Sequence, residues 1–86
     1  MADSVGEIQI YDGVVSRFGG RDELPLAEQT AKALVNKGVR LGQLGRGEEE
    51  LGVYDEVVSR FGGRAEPEIQ GIVRHVLKLL NRAKES

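Results

Sequence analysis

No cysteine occurs in the 86 residues, which excludes disulfides and thiolate-ligated metal and leaves the redox compartment unread. Tryptophan is also missing, and the four aromatic residues are Tyr11, Phe18, Tyr54 and Phe61. That is too few for a base-stacking platform of the kind that holds single-stranded nucleic acid. No apolar run exceeds three residues, far short of the roughly 20 that span a membrane as a helix. Charge of one sign is lacking too: 12 Lys and Arg stand against 14 Asp and Glu, a net of -2. Neither nucleic acid nor an anionic membrane is favoured as a partner of the whole chain. The opening "MADSVGE" has no basic leader and no apolar signal core, so a soluble, cytoplasmic protein is expected. The length suits one small domain over residues 1–86, burying only about 60–65% of its unfolded surface.

Glycine is plentiful, and it punctuates. Gly19-Gly20, Gly45 with Gly47, and Gly62-Gly63 each close a stretch of helical apolar spacing, where a residue tolerating positive φ is expected. The spacing predicts a first helix over about Val5 to Phe18, with Ile8, Tyr11, Val14, Val15 and Phe18 on one stripe. Ser4 and Glu7 read as a capping box ahead of it. A second helix follows from about Glu23 to Gln43, with Leu26, Thr30, Ala33, Leu34, Gly38 and Leu41 inward, Asp22 as its cap and Pro25 in its first turn. The third, about Glu48 to Phe61, opens on three glutamates that suit the helix dipole in a solvated first turn. Its stripe is Leu51, Tyr54, Val57, Val58 and Phe61. The fourth, about Glu68 to Ala83, turns Ile69, Ile72, Val73, Val76, Leu77 and Leu80 inward. Sustained period-two alternation is absent, so the expected fold class is all-α.

The chain also repeats itself. "YDGVVSRFGGR" at Tyr11–Arg21 and "YDEVVSRFGGR" at Tyr54–Arg64 differ only at Gly13 against Glu56. The 43-residue offset pairs Glu7 with Glu50, Ile8 with Leu51, Ile10 with Val53, Leu26 with Ile69, Ala33 with Val76 and Leu34 with Leu77. Two helices per repeat is the signature of a helical solenoid, in which each hairpin buries its face against the next.

Within Ala31–Arg64, the stretch "AKALVNKGVRLGQLGRGEEELGVYDEVVSRF" resembles one tetratricopeptide repeat. Leu34 stands at the family's large apolar position, Gly38 at the small residue where two helices cross, and Leu41 where Tyr is usual. Gly45 matches the turn glycine, Tyr54 the aromatic packed between helices, and Val57 a position usually Ala. The chain departs from the pattern at Glu50, where a small Ala is preferred, at Gly47, where an aromatic is common, and in its 43-residue period against 34. The resemblance implies antiparallel hairpins stacked as a fragment of a right-handed solenoid. It would comprise a half-repeat over 4–20, a full repeat over about 24–64 and a half-repeat over 66–84.

Chemistry is thinly represented. Tyr11 with Asp12 and Tyr54 with Asp55 have the groups of an acid–base pair, but their recurrence at equivalent repeat positions points to packing beside a solvated carboxylate. The "FGGR" turns offer backbone N–H groups and Arg21 or Arg64 to an anion. No strand precedes them and no Lys-Ser/Thr follows, so they read as helix ends. His75, the single histidine, has no partner at ligand or triad spacing. The expectation is no catalytic residue, no metal and no cofactor: not an enzyme.

The resemblance implies instead a concave face lined by the first helix of each repeat, holding a protein or peptide partner. The matching positions are Lys32, Val35, Asn36, Val39 and Gln43 on the second helix, and His75, Lys78, Leu79 and Arg82 on the fourth. Chaperone-binding members clamp a terminal carboxylate at two of the positions where this chain has Val35 and Val39, so that clamp is not reproduced. A mixed apolar and basic lining points to an acidic or amphipathic segment. Terminal helices without hairpin mates, the fourth with Leu77, Leu79 and Leu80, lead to an expected homo-oligomer, a dimer in which two chains complete each other. Two alternatives stand beside this reading. One is a natural or engineered piece of a longer array that only assembles. The other is a nucleic-acid adaptor using Arg74, Lys78, Arg82 and Lys84 of the last helix.

Overall fold

The structure, a computed structural model, describes residues 4–18 and 23–85, with the side chains of Ser4, Val5, Glu7 and Phe18 outside that description. Four helices and no strand occur among the described residues: α1 (Ser4–Phe18), α2 (Leu24–Gln43), α3 (Gly47–Phe61) and α4 (Pro67–Glu85). Apolar spacing and glycine punctuation place every one within a residue or two. The side chains of the expected Ser4–Glu7 capping box lie outside the description, as do the Gly19-Gly20 helix end and the Asp22 cap. Glu23 is the N-cap of α2 and makes no side-chain cap bond. Its carbonyl accepts from the Leu26 and Ala27 N–H groups instead, and Pro25 sits in the first turn, where no N–H is needed.

One helix end follows the glycine logic closely. Gly45 takes φ 76°, while the Arg46 N–H bonds to the Leu41 carbonyl and the Gly45 N–H to the Gly42 carbonyl. That pair of bonds is the Schellman arrangement, and it turns the chain back within three residues so that α3 runs along α2. The Gly62-Gly63 end does not behave so. Gly62 remains right-handed at φ -61°, and Gly45 is the one positive-φ residue among those described. Glycine at position 62 answers to space: an added Cβ would stand 2.5 Å from the Val58 carbonyl oxygen.

Each helix packs on the next, α2 also meets α4, and α1 meets neither α3 nor α4 among the described residues. α2 is therefore the helix that touches all three others. The thin dimension of 16 Å fits two helices about 8–10 Å apart. The core joins Ala27, Ala31, Leu34, Val35 and Leu41 of α2 to Val53, Tyr54, Val57 and Phe61 of α3, to Ile69, Val76 and Leu80 of α4, and to Ile8 of α1. Thr30 is buried among them with its hydroxyl donated to the Leu26 carbonyl at 3.0 Å. Leu77 corrects an expectation. Placed inward by its apolar spacing and paired with Leu34 by the repeat, it is 45% exposed, whereas Leu34 is 2% exposed. The reason is positional: α3 covers that side of α2, and no described helix covers the same side of α4.

The crossing of α2 and α3 depends on one missing methyl group. A Cβ at Gly38 would lie 2.3 Å from Cε1 of Tyr54, so the ring occupies the space a side chain would need. At Gly42 the equivalent Cβ would meet only the Glu50 carboxylate, the movable end of a flexible side chain. At Gly52 it would meet nothing within 4 Å. Urea unfolding should therefore rank three substitutions. Gly38→Ala costs about 1–3 kcal/mol by overpacking despite better helix propensity, Gly42→Ala costs less, and the exposed Gly52→Ala gains roughly 0.5–1 kcal/mol. Equal effects at Gly38 and Gly52 would contradict this crossing.

Candidate functional site

Parallel placement of α2 and α4 leaves a groove between them, divided into two clefts. The first, about 540 Å³, is lined by Glu28, Lys32, Val35 and Asn36 of α2 and by Glu68, Gly71, Ile72 and His75 of α4. The second, about 370 Å³, lies further along the same two helices, between Val39, Gly42 and Gln43 and Leu79, Arg82 and Ala83, with Glu50 and Tyr54 of α3 at its back. Both are in the size range of ligand pockets, the second near its lower end.

Of the nine positions taken from the sequence, Lys32, Val35, Asn36 and His75 line the first cleft, and Val39, Gln43, Leu79 and Arg82 the second. Lys78 is exposed and lines neither. Val35 is buried and Leu79 half-buried against the core, so both form floor rather than rim. The sequence reading missed Glu28, Glu68, Gly71 and Ile72 in the first cleft, and Gly42, Glu50, Tyr54 and Ala83 in the second. One helical turn back from Lys32 and from His75 leads to Glu28 and Gly71, so extending the stripe by a turn would have found them.

These additions change the electrostatics. The basic side chains do not stand alone: Lys32 Nζ is 3.1 Å from Glu28 Oε2, and Glu68 lines the same end. The first cleft thus carries Glu28 and Glu68 against Lys32, and the second carries Glu50 with Arg82. His75 sits exposed on the first cleft, and no group of three or more His, Cys, Asp or Glu among the described residues has metal-binding proximity.

Glu50 also corrects its solvated reading. It is half-buried and accepts a 2.9 Å hydrogen bond from the Tyr54 hydroxyl. The departure from the tetratricopeptide pattern at Glu50 is accommodated by Gly42, whose lack of a side chain makes room for the carboxylate. Burial first, then the bond to Glu50 and its charge, push the Tyr54 phenol well above its ordinary 10.0. The acid–base reading of the tyrosine–aspartate pairs finds no shared geometry. Tyr54 bonds Glu50, while Asp12 pairs with Lys37 at 2.7 Å and ties α1 to α2. The anion nest at Arg64 is occupied from within the chain. Its guanidinium bonds both Glu66 carboxylate oxygens, at 2.9 and 2.6 Å, and holds that carboxyl down at about 2. Arg21 lies outside the described residues.

Among the described residues, no helix is long and apolar enough to cross a membrane. Compared with protein-family models, curated proteins and solved structures, the chain matches none.

A pH experiment checks the Tyr54 environment. With the folded phenol raised, the stability it contributes is complete below pH 10 and falls as pH rises further, because the unfolded chain ionises first. Phenolate absorbance and helicity followed together should show one phenol ionising only as helix is lost. Tyr54→Phe should remove that coupled step. A Tyr54 phenolate formed in a fully helical chain would contradict the burial and the Glu50 bond.

Proposed function

We propose that this chain is a non-enzymatic, tetratricopeptide-like protein-interaction module whose α2–α4 groove holds an extended amphipathic segment of a partner protein. One observation carries the reading: eight positions selected by the repeat pattern converge on two consecutive clefts between the same two helices. Their chemistry suits a peptide better than a small reacting molecule. Floors of Val35, Ile72, Val39 and Leu79 accept apolar side chains, and rims of both signs orient the backbone direction. A segment with one basic end and alternate apolar residues would lie with that end at Glu28 and Glu68.

Titrating the isotope-labelled chain with designed peptides of this charge polarity, and with their reversed sequences, tests the proposal. Resonance shifts should cluster at Val35, Val39, Ile72, Leu79 and His75, with the reversed peptide weaker by about tenfold, or roughly 1.4 kcal/mol. Reversing Lys32 to Glu should tighten binding of the basic end, and reversing Glu68 to Lys should weaken it. Shifts confined to other surfaces, or no preference for direction, would contradict it.

Self-association is a second reading, favoured by Leu77 standing 45% exposed on α4. Two copies would meet along this helix across a two-fold axis, each covering the other's leucine. Light scattering at tens of micromolar should then give a dimer mass, and Leu77→Glu a monomer with unchanged helicity. A monomer in both cases would end this reading.

A further inference from the structure

The motif present on both α1 and α3 is covered in only one of its two copies. On α3, Val53 and Tyr54 are 8% and 1% exposed, and the Tyr54 ring lies against α2 at Gly38. On α1 the counterpart Ile10 is 67% exposed, and Tyr11 and Val14 are half-buried. α3 is packed by both α2 and α4, whereas α2 is the one helix packed on α1 among the described residues. The sequence has also removed charge here. Where α3 carries Glu49 and Glu56, α1 carries Gly6 and Gly13, on either side of Ile10.

The cover seen on α3 defines what fits. It is a helix presenting Leu34, Gly38 and Leu41, at spacings of four and three, with the Tyr54 ring in the space a Cβ would take at Gly38. A second copy does not supply this surface in the same register. α2 is already enclosed by α1, α3 and α4, and its counterpart α4 has Leu77, Asn81 and Lys84 at those three positions. Asn81 would set a Cβ into the tyrosine ring, and Lys84 would bring a charge to a leucine seat.

We infer that the bare side of α1, centred on Ile10, Tyr11 and Val14, is a docking surface for an amphipathic helix of another protein carrying Leu-x3-Gly-x2-Leu, seated as α2 seats on α3. This surface continues an interface already present within the chain, one hairpin further along the stack. It lies on α1, which contributes nothing to the α2–α4 groove, so either site stands or falls without the other.

The probe is a peptide of residues 24–43, held helical by a lactam staple away from Leu34, Gly38 and Leu41, and titrated into the full chain. Binding is expected, with the peptide's Gly38→Ala form weaker by about tenfold or more, as a lost seat for the ring requires. Ile10→Asp in the full chain should weaken it equally and leave helicity unchanged, since Ile10 is exposed. Binding that ignores Ile10→Asp would mean exchange at α3 and would overturn the proposal. So would no binding at about millimolar peptide, a contact worth less than roughly 4 kcal/mol. Self-association of the chain that Ile10→Asp abolishes would also overturn it, by making a second copy the occupant.

Discussion

An aromatic ring resting on a glycine holds this molecule together. Tyr54 lies where a Gly38 side chain would be, and that close approach sets how deeply α3 beds into α2. The ring's far end is satisfied by Glu50, and Glu50 in turn has room because Gly42 is also bare. Three departures from ordinary helix composition therefore form one unit: two glycines in the interior of α2 and a half-buried carboxylate in α3. Each glycine costs about 0.5–1 kcal/mol of helix propensity relative to alanine. The cost is offset by burying a tyrosine, Leu34 and Leu41 at one crossing.

Because α2 is the shared member, its position fixes everything downstream. It meets α1 on one side and α3 on another, and α4 runs beside it to form the groove. The groove's two clefts are spaced along α2 by its own helical turns, Lys32, Val35 and Asn36 in one and Val39 and Gln43 in the next. Tyr54 and Glu50 form the back of the second cleft, so the residues that secure the crossing also shape the proposed binding surface. Stability and recognition are coupled there, while the first cleft rests on Val35, Ile72 and Gly71 alone among its apolar lining.

Much of this was legible in the sequence because helices announce themselves by spacing. The stripes and glycine stops gave four helices with nearly correct ends, and the 43-residue echo gave the pairing of Tyr11 with Tyr54 and Leu34 with Leu77. What the echo could not carry was exposure. Equivalent residues share a face of their own helix, but burial depends on whether a neighbour stands opposite. Thus Leu34 is enclosed and Leu77 is not, and Val53 is enclosed while Ile10 is not. The groove was legible as a stripe of positions and illegible as a charge pattern. Glu28 and Glu68 enter it from one turn earlier, and the sequence reading had weighed only the basic residues. Gly62 was misread for a related reason: glycine signals either a positive φ or a lack of space, and composition alone does not separate the two.

The most direct test is through-space NMR contact between Tyr54 and Gly38. The account predicts strong cross-peaks from the Tyr54 ring protons to the Gly38 α protons, with those α protons shifted upfield by the ring current. A Gly38 resonance at its ordinary helical position, with no cross-peak to Tyr54, would mean that α2 and α3 do not meet here and would remove the basis of the fold and of both proposed surfaces.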